Sequence, residues 1–331
     1  MLNPAVSPDV NDPNAASAPA TDAARSPALW TDYLMLMKPR VMSLVVFTAL
    51  TGLVCAGTPM NPVLAAVAVL CIAVGAGASG AFNMWYDADI DGRMRRTRSR
   101  PVPAGRVQGA DALGLAIVLS LLSVMLLAMT TNWLAAGLLA FTIFFYAVVY
   151  TMWLKRWTVQ NIVVGGLAGA LPPAIGWAAA SGEAPLNAWL MVLIIFVWTP
   201  PHFWALSLYT SEDYAKAGIP MLPVVKGARS TRLQILIYSL VLFPVCQAPF
   251  FTGLGSWAYL AVSGLGGAVF LVLAWRLFRS QAGEGADPRN GQLYDVKAGA
   301  VDARNLFAYS ILYLFALFAT LLAERMIGLG A

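Results

Sequence analysis

Charge is what this 331-residue chain has least of: 11% of its residues are charged, against 59% hydrophobic. Soluble domains carry about 25% charged residues, so the composition excludes a water-soluble globule and fits a membrane protein. The mean hydropathy of +0.70 agrees. Cysteine is scarce too. The three present, Cys55, Cys71 and Cys246, lie in apolar stretches without metal-ligand spacing, so buried free thiols are expected. Histidine occurs once, at His202. Residues 1–27 lack the basic start and apolar core of a signal peptide, and they are too acidic for a transit peptide. Rich in Pro, Ala, Ser, Asp and Asn, residues 1–29 read as a disordered cytoplasmic tail ahead of a membrane domain at 30–331.

Long uncharged sequence is what the chain has in abundance. Runs without Asp, Glu, Lys or Arg cover 41–86, 112–154, 157–182, 184–211, 233–275 and 305–323. A bilayer span takes about 20 residues, so three of these runs hold two spans each. Each of the three has a turn-like break: Thr58-Pro59-Met60-Asn61-Pro62, Thr130-Thr131-Asn132 and Thr252-Gly253-Leu254-Gly255-Ser256. The expected fold is all-α, with nine membrane helices. Their expected ranges are 38–57, 62–86, 110–129, 132–154, 160–180, 186–208, 232–251, 256–278 and 303–324, the Gly-rich stretch 281–302 being a mobile loop.

Basic residues set the orientation. Of 21 Lys and Arg, all but Arg325 fall before or at the start of the first span or around the loops that follow the second, fourth, sixth and eighth. Cytoplasmic loops carry the Lys and Arg excess, so the N-terminus and these loops are expected inside and the C-terminus outside. The net charge of +5 thus reports topology and does not call for nucleic acid.

The second span runs into Asn83-Met84-Trp85-Tyr86-Asp87-Ala88-Asp89-Ile90-Asp91-Gly92. Asn83, Asp87 and Asp91 are spaced i, i+4, i+8, which on a helix makes one stripe of oxygen ligands. Arg93, Arg95, Arg96, Arg98, Arg100 and Arg106 follow. Carboxylates beside guanidiniums suit a divalent cation with a phosphate-bearing substrate. Two other motifs fail on context. Gly75, Gly77 and Gly80 spell a dinucleotide fingerprint, but no strand precedes them, and close helix packing is the better account. Asp87-x-Asp89-x-Asp91-Gly92 opens like a calcium loop, yet its twelfth position is Arg98 where Glu is required. A purely structural account makes Arg93, Arg95 and Arg96 surface ion pairs that offset three aspartates at the negative end of a helix dipole. It leaves Asn83 unexplained.

Further candidates share the cytoplasmic face. Lys38-Pro39-Arg40 is an interfacial anchor or a substrate contact, and the same choice applies to Tyr150 and Lys155-Arg156 at the end of the fourth span. Pro172-Pro173 within the fifth span frees carbonyls, which often marks a cavity wall. His202 lies in Trp198-Thr199-Pro200-Pro201-His202-Phe203-Trp204-Ala205-Leu206. A lone membrane histidine is usually functional or paired with a carboxylate, with packing as the plain alternative. Beyond it, Glu212-Asp213-Tyr214 and the run to Lys226-Gly227 form a second acidic–basic patch.

These strings resemble the UbiA superfamily of membrane prenyltransferases, whose first signature is N-x-x-x-D-x-x-x-D at the end of the second helix. Asn83 to Arg106, Pro200 to Leu206 and Asp213 to Gly227 look like its heme branch, the heme O synthases, and the resemblance covers roughly 30–325. Quinone-pathway members carry a second D-x-x-x-D after the sixth helix. Here the positions four before and four after Asp213 are Tyr209 and Ala217, which favours the heme branch.

The resemblance implies a nine-span bundle in a bacterial inner membrane, with a central cavity opening near the cytoplasmic face. It implies farnesyl diphosphate and heme B as substrates, and Mg2+ held by Asn83, Asp87, Asp91 and Asp213. Catalytic roles fall to Asp87, Asp91, Arg96, His202 and Asp213. Diphosphate or heme would be bound by Lys38, Arg40, Asn83, Arg93, Arg100, Tyr150, Lys155, Arg156 and Lys226. Diphosphate leaves, the heme vinyl carbon attacks the farnesyl cation, and water captures the cation that results. His202 would ligate iron or handle a proton, and the sequence does not choose. The competing readings are a quinone- or chlorophyll-type prenyltransferase and a transporter for an anionic lipid. Transporter sites lie near the bilayer midplane, whereas the charges here crowd one rim. No heme-A-pathway or oxidase-assembly partner is derivable.

Overall fold

A computed structural model describes residues 28–284 and 296–329, the side chains of 296–300 excepted. The expected tail, residues 28 and 29 apart, and the 285–295 part of the expected loop lie outside the described residues. Among the described residues, every regular element is helical. Eight helices are long and apolar enough to cross a membrane, and a bent pair makes nine. That pair is α1 (Trp30–Leu36) and α2 (Pro39–Cys55), which meet at 54°. The other spans are α3 (Pro62–Tyr86), α5 (Gly109–Thr130), α6 (Trp133–Phe144) with the segments after it to Trp157, α8 (Asn161–Ala170) with α9 (Pro172–Ser181), α10 (Leu186–Tyr209), α13 (Gly227–Phe251), α14 (Trp257–Arg279) and α15 (Val296–Met326). Between them lie the short helices α4 (Ala88–Asp91), α7 (Lys155–Trp157), α11 (Ser211–Lys216) and α12 (Leu222–Val225).

The three breaks in the uncharged runs each end in a helix cap. Asn61 accepts from the Val63 amide at 2.9 Å, Asn132 from Ala135 at 2.9 Å and Ser256 from Ala258 at 3.2 Å. Each satisfies one of the orphan donors at a helix start, so each new span begins where the sequence places it. Large apolar side chains such as Leu121, Met125, Leu240 and Val272 are exposed along the outer spans, and Trp133, Trp157 and Trp257 are exposed at span ends. That is the surface of a multi-pass membrane protein. The inner spans differ. The apolar windows of 161–181 and α10 are 78% and 72% buried, against 22% for α5, so these two form the centre of the bundle.

Two expectations are corrected. The first span starts at Trp30 rather than 38, because the chain bends at Lys38, whose φ of 52° is the only left-handed non-glycine backbone among the described residues. The last helix starts at Val296, ahead of its apolar span Val301–Met326, so the final part of the expected loop 281–302 is helix. Pro172 and Pro173 open α9. The Pro173 carbonyl lies where a Cβ on Gly52 would sit, 2.0 Å away, and the Ala49 carbonyl stands the same 2.0 Å from a Cβ on Gly176. The proline pair therefore belongs to a backbone-to-backbone contact between α2 and α9. The glycines of α3 act similarly, as expected: Gly77 faces Met37, and Gly80 faces the Leu36 carbonyl.

Glu324, near the end of α15, is buried and accepts hydrogen bonds from the Ser256 amide (2.8 Å), the Ser256 hydroxyl (2.5 Å) and the Tyr259 amide (2.7 Å). A carboxylate from one span thus caps the positive end of another. Glu324→Ala should destabilise the protein by about 2 kcal/mol or more, since charged hydrogen bonds contribute about 1.5–3 kcal/mol. The fall in melting temperature in detergent measures it, and Glu324→Gln should recover part of the loss.

Candidate active site

The stripe survives the end of α3. Asp87 separates α3 from α4, yet its amide bonds the Asn83 carbonyl at 3.0 Å, and the Asp91 amide bonds the Asp87 carbonyl at 2.8 Å. The i→i−4 pattern therefore continues, and Asn83, Asp87 and Asp91 stay on one face. All three are buried, Asp87 completely. A buried carboxylate must be paired, and these are. Lys155 forms an ion pair with Asp87 Oδ2, which also accepts from Asn83 Nδ2 at 2.6 Å. Arg100 Nη1 donates to Asp91 Oδ2 at 2.6 Å. Lys38 Nζ, turned inward by the α1–α2 bend, donates to Asn83 Oδ1 at 2.5 Å. Arg156 donates to Asp89 at 2.9 Å, lies 4.7 Å over the Tyr86 ring, and has Nη2 3.7 Å from Asp87 Oδ1.

The compensating cations are thus Lys38, Arg100, Lys155 and Arg156. Arg93, Arg95 and Arg96, the neighbours in sequence, are exposed and supply none of these pairs, which corrects the surface-ion-pair account. Burial opposes the charged form of Asp89, but the hydrogen bonds and charge of Arg156 outweigh it and hold that carboxyl below its usual range. The loop carrying Arg100 is pinned in turn: Arg106 Nε donates to Asp32 of α1 at 2.8 Å, and its Nη2 to the Ser99 carbonyl at 3.0 Å.

An aromatic wall stands beside the charges. Phe145–Leu154, between α6 and α7, is a π-helix rather than a continued α-helix. Wide turns of this kind are frequent at functional sites. This one carries Tyr146 and Tyr150, whose ring centroids are 5.3 Å apart, then Thr151, and delivers Lys155. Tyr150 sits where only a glycine gives room, since a Cβ on Gly165 would lie 2.1 Å from its ring. Tyr214 on α11 closes a further side. Burial pushes its hydroxyl above the usual range, and the guanidinium of Arg96 beside it pulls the other way.

The donor set fits a hard divalent cation. It is all oxygen, and buried Asp87 Oδ1 accepts no hydrogen bond. Among the described residues no three of His, Cys, Asp and Glu converge as a ligand group. Asp213, half-buried on α11 and expected among the ligands, is therefore not gathered with Asp87 and Asp91. Magnesium usually takes one or two carboxylates and completes its shell with water and substrate phosphate, so two aspartates suffice.

Residues 45–294 match the model of the UbiA prenyltransferase family. A protoheme IX farnesyltransferase of Caulobacter sp. (strain K31) is 74% identical over 322 residues, covering 94% of this chain and 93% of its own. The chain belongs to the UbiA prenyltransferase family. Another relative in the family, the protoheme IX farnesyltransferase of Maricaulis maris (strain MCS10), is 60% identical over 93% of this chain and 94% of its own. Among solved structures, a UbiA homolog from Archaeoglobus fulgidus bound to GPP and Mg2+ aligns with a TM-score of 0.62 at 18% identity, covering 88% of this chain and 99% of that one. A structure from work on digeranylgeranylglyceryl phosphate synthase gives 0.71 at 13%, covering 90% and 98%. At such identities these two establish the shared UbiA fold.

Other expected site residues of this UbiA chain lie apart from the buried cluster. Arg40, Arg93 and Lys226 are exposed on the rim. His202 is buried within α10, stacked between Trp198 at 4.1 Å and Phe307 at 4.5 Å, with Nδ1 2.6 Å from Ser310 Oγ. Its partners among the described residues carry no charge, and the ring joins α10 to α15. His202→Ala should lower the melting temperature through lost stacking while leaving the half-saturating Mg2+ concentration unchanged. A shift in that concentration would return His202 to the site. Reasoning from sequence missed Tyr146, Thr151 and Tyr214. The signal was there for two of them, a tyrosine and a threonine in the turns just before Lys155.

Proposed function

We infer that this chain transfers the farnesyl group of farnesyl diphosphate to a vinyl group of heme B with addition of water, giving heme O. One observation carries the geometric side: Asp87, wholly buried at the rim of an apolar bundle, is ringed by Asn83, Lys155 and Arg156 and keeps one oxygen free of hydrogen bonds. The substrates come from relatives named protoheme IX farnesyltransferase at up to 74% identity over nearly the whole chain.

Asp87 and Asp91, with Asn83 Oδ1, would hold Mg2+ in this reading. The bound ion supplies Lewis-acid charge to the leaving group. Lys38, Arg100, Lys155 and Arg156 take the remaining diphosphate oxygens, so charge that builds as the farnesyl C–O bond breaks meets fixed cations. Arg40, Arg93, Arg96 and Lys226 on the rim draw the anionic substrate in. Tyr146 and Tyr150 keep water from the allylic cation until the vinyl carbon has bonded to it. Water then captures the new cation on the heme side chain and loses a proton. Asp213, beside Tyr214, belongs to the rim rather than to the ligand set. The basic loops face the cytoplasm of a bacterial inner membrane, so reporters fused after Arg106, Arg156 and Lys226 should all read as internal.

Mass spectrometry of heme extracted from cells lacking their own farnesyltransferase tests the activity. Expression should yield the hydroxyethylfarnesyl derivative; heme B alone, with the protein present in the membrane, would overturn the reading.

A further inference from the structure

We propose that Thr151 is a positioning residue that decides which end of the Asn83 amide faces the cation side of the site. Donor and acceptor polarity carries the argument. Thr151 is fully buried, and its hydroxyl donates its single proton to the Tyr146 carbonyl at 2.8 Å, five residues back along the π-helix. Its oxygen can then only accept. The group 3.2 Å away must be a donor, and it is Asn83 Nδ2. At the other end of the amide, Lys38 has protons and no acceptor, so it faces Asn83 Oδ1. The relay runs from the Tyr146 carbonyl through the Thr151 hydroxyl to the Asn83 NH2, and it turns Asn83 Oδ1 toward the cations.

Asp87 Oδ2 also accepts from Asn83 Nδ2, but it is shared with Lys155 and belongs to the carboxylate that would engage a metal. Thr151 is neutral and anchored to backbone. It holds the amide whatever Asp87 does, and the π-helix is what puts its oxygen at this height. Partners that orient a ligand without touching the ion often change affinity or activity 10–100-fold when removed.

The proposal rests on the reading that Asn83 holds the cation, and the test separates the two. Mn2+ binding to the full-length protein in detergent, with farnesyl thiodiphosphate present, is followed by electron paramagnetic resonance. Thr151→Val keeps the shape and loses the acceptor, and Thr151→Ala loses it without a branched side chain. Both should raise the Mn2+ Kd about tenfold or more. Thr151→Ser keeps the oxygen and should bind close to wild type, and all three should melt near the wild-type temperature. Wild-type Mn2+ affinity in Thr151→Val and Thr151→Ala, with affinity lost in Asn83→Ala, removes the relay and leaves the site reading standing. Wild-type affinity in Asn83→Ala removes both.

Discussion

Asp87→Asn and Asp91→Asn should each lower farnesyl transfer on the order of a hundredfold or more, with the protein still inserted in the membrane. A lost metal ligand takes several kcal/mol from transition-state stabilisation, and each 1.36 kcal/mol is a factor of ten. Asp87→Asn does more than remove a ligand. It leaves Lys155 without its counter-charge, and an amide whose oxygen keeps the bond from Asn83 turns its NH2 toward Arg156, so that a donor faces a cation. Asp89→Asn is the internal control. Asp89 lies between the two in sequence but is exposed and, among the described residues, forms its ion pair with Arg156 at the rim, so its loss should cost less than about tenfold. Steady-state turnover at saturating Mg2+, normalised to inserted protein, distinguishes them. Equal effects at all three positions would mean that general surface charge, not the buried stripe, supports turnover.

Gly52→Val and Gly176→Val should abolish the folded bundle. Each would place a Cβ about 2.0 Å from a backbone carbonyl of the neighbouring span, and a carbonyl cannot rotate away as a side chain does. Overpacking a core costs about 1–3 kcal/mol when side chains can give. Here α2 and α9 must separate, and with them much of the mostly buried centre. Neither variant should give a monodisperse peak by size exclusion in detergent. Gly114→Ala and Gly137→Ala, where nothing lies within 4 Å of the new Cβ, should behave as wild type or gain a few tenths of a kcal/mol.

Local rules carried most of the fold. Nine spans were legible because uncharged runs are unambiguous, and their breaks because Asn61, Asn132 and Ser256 cap helices by short-range bonds. The stripe was legible for the same reason, since i, i+4, i+8 is a property of one helix. The cations that complete the site were not matched to it in advance. Lys38 reaches Asn83 across 45 residues and Lys155 reaches Asp87 across 68, pairings that only the packing of separate spans decides. Proximity in sequence favoured Arg93, Arg95 and Arg96, which form none of the aspartate pairs, and of which Arg96 lies beside Tyr214 instead. His202 shows the same limit: the rings that stack on it come from α10 and α15, and the second lies 105 residues away in sequence.

The π-helical segment has a consequence for how this gene tolerates length changes. A turn that bonds i to i−5 holds one residue more than an α-turn, so Phe145–Leu154 amounts to an insertion already absorbed. Deleting one residue there, Val148 for instance, would restore ordinary winding with the turns on either side still in register, so Lys155 would stay on Asp87. The same deletion within α6 would rotate the chain after it by about 100° and carry Lys155 away. An alignment with a relative whose fourth span is a plain α-helix should need a one-residue gap here, and placing it elsewhere would misassign Lys155.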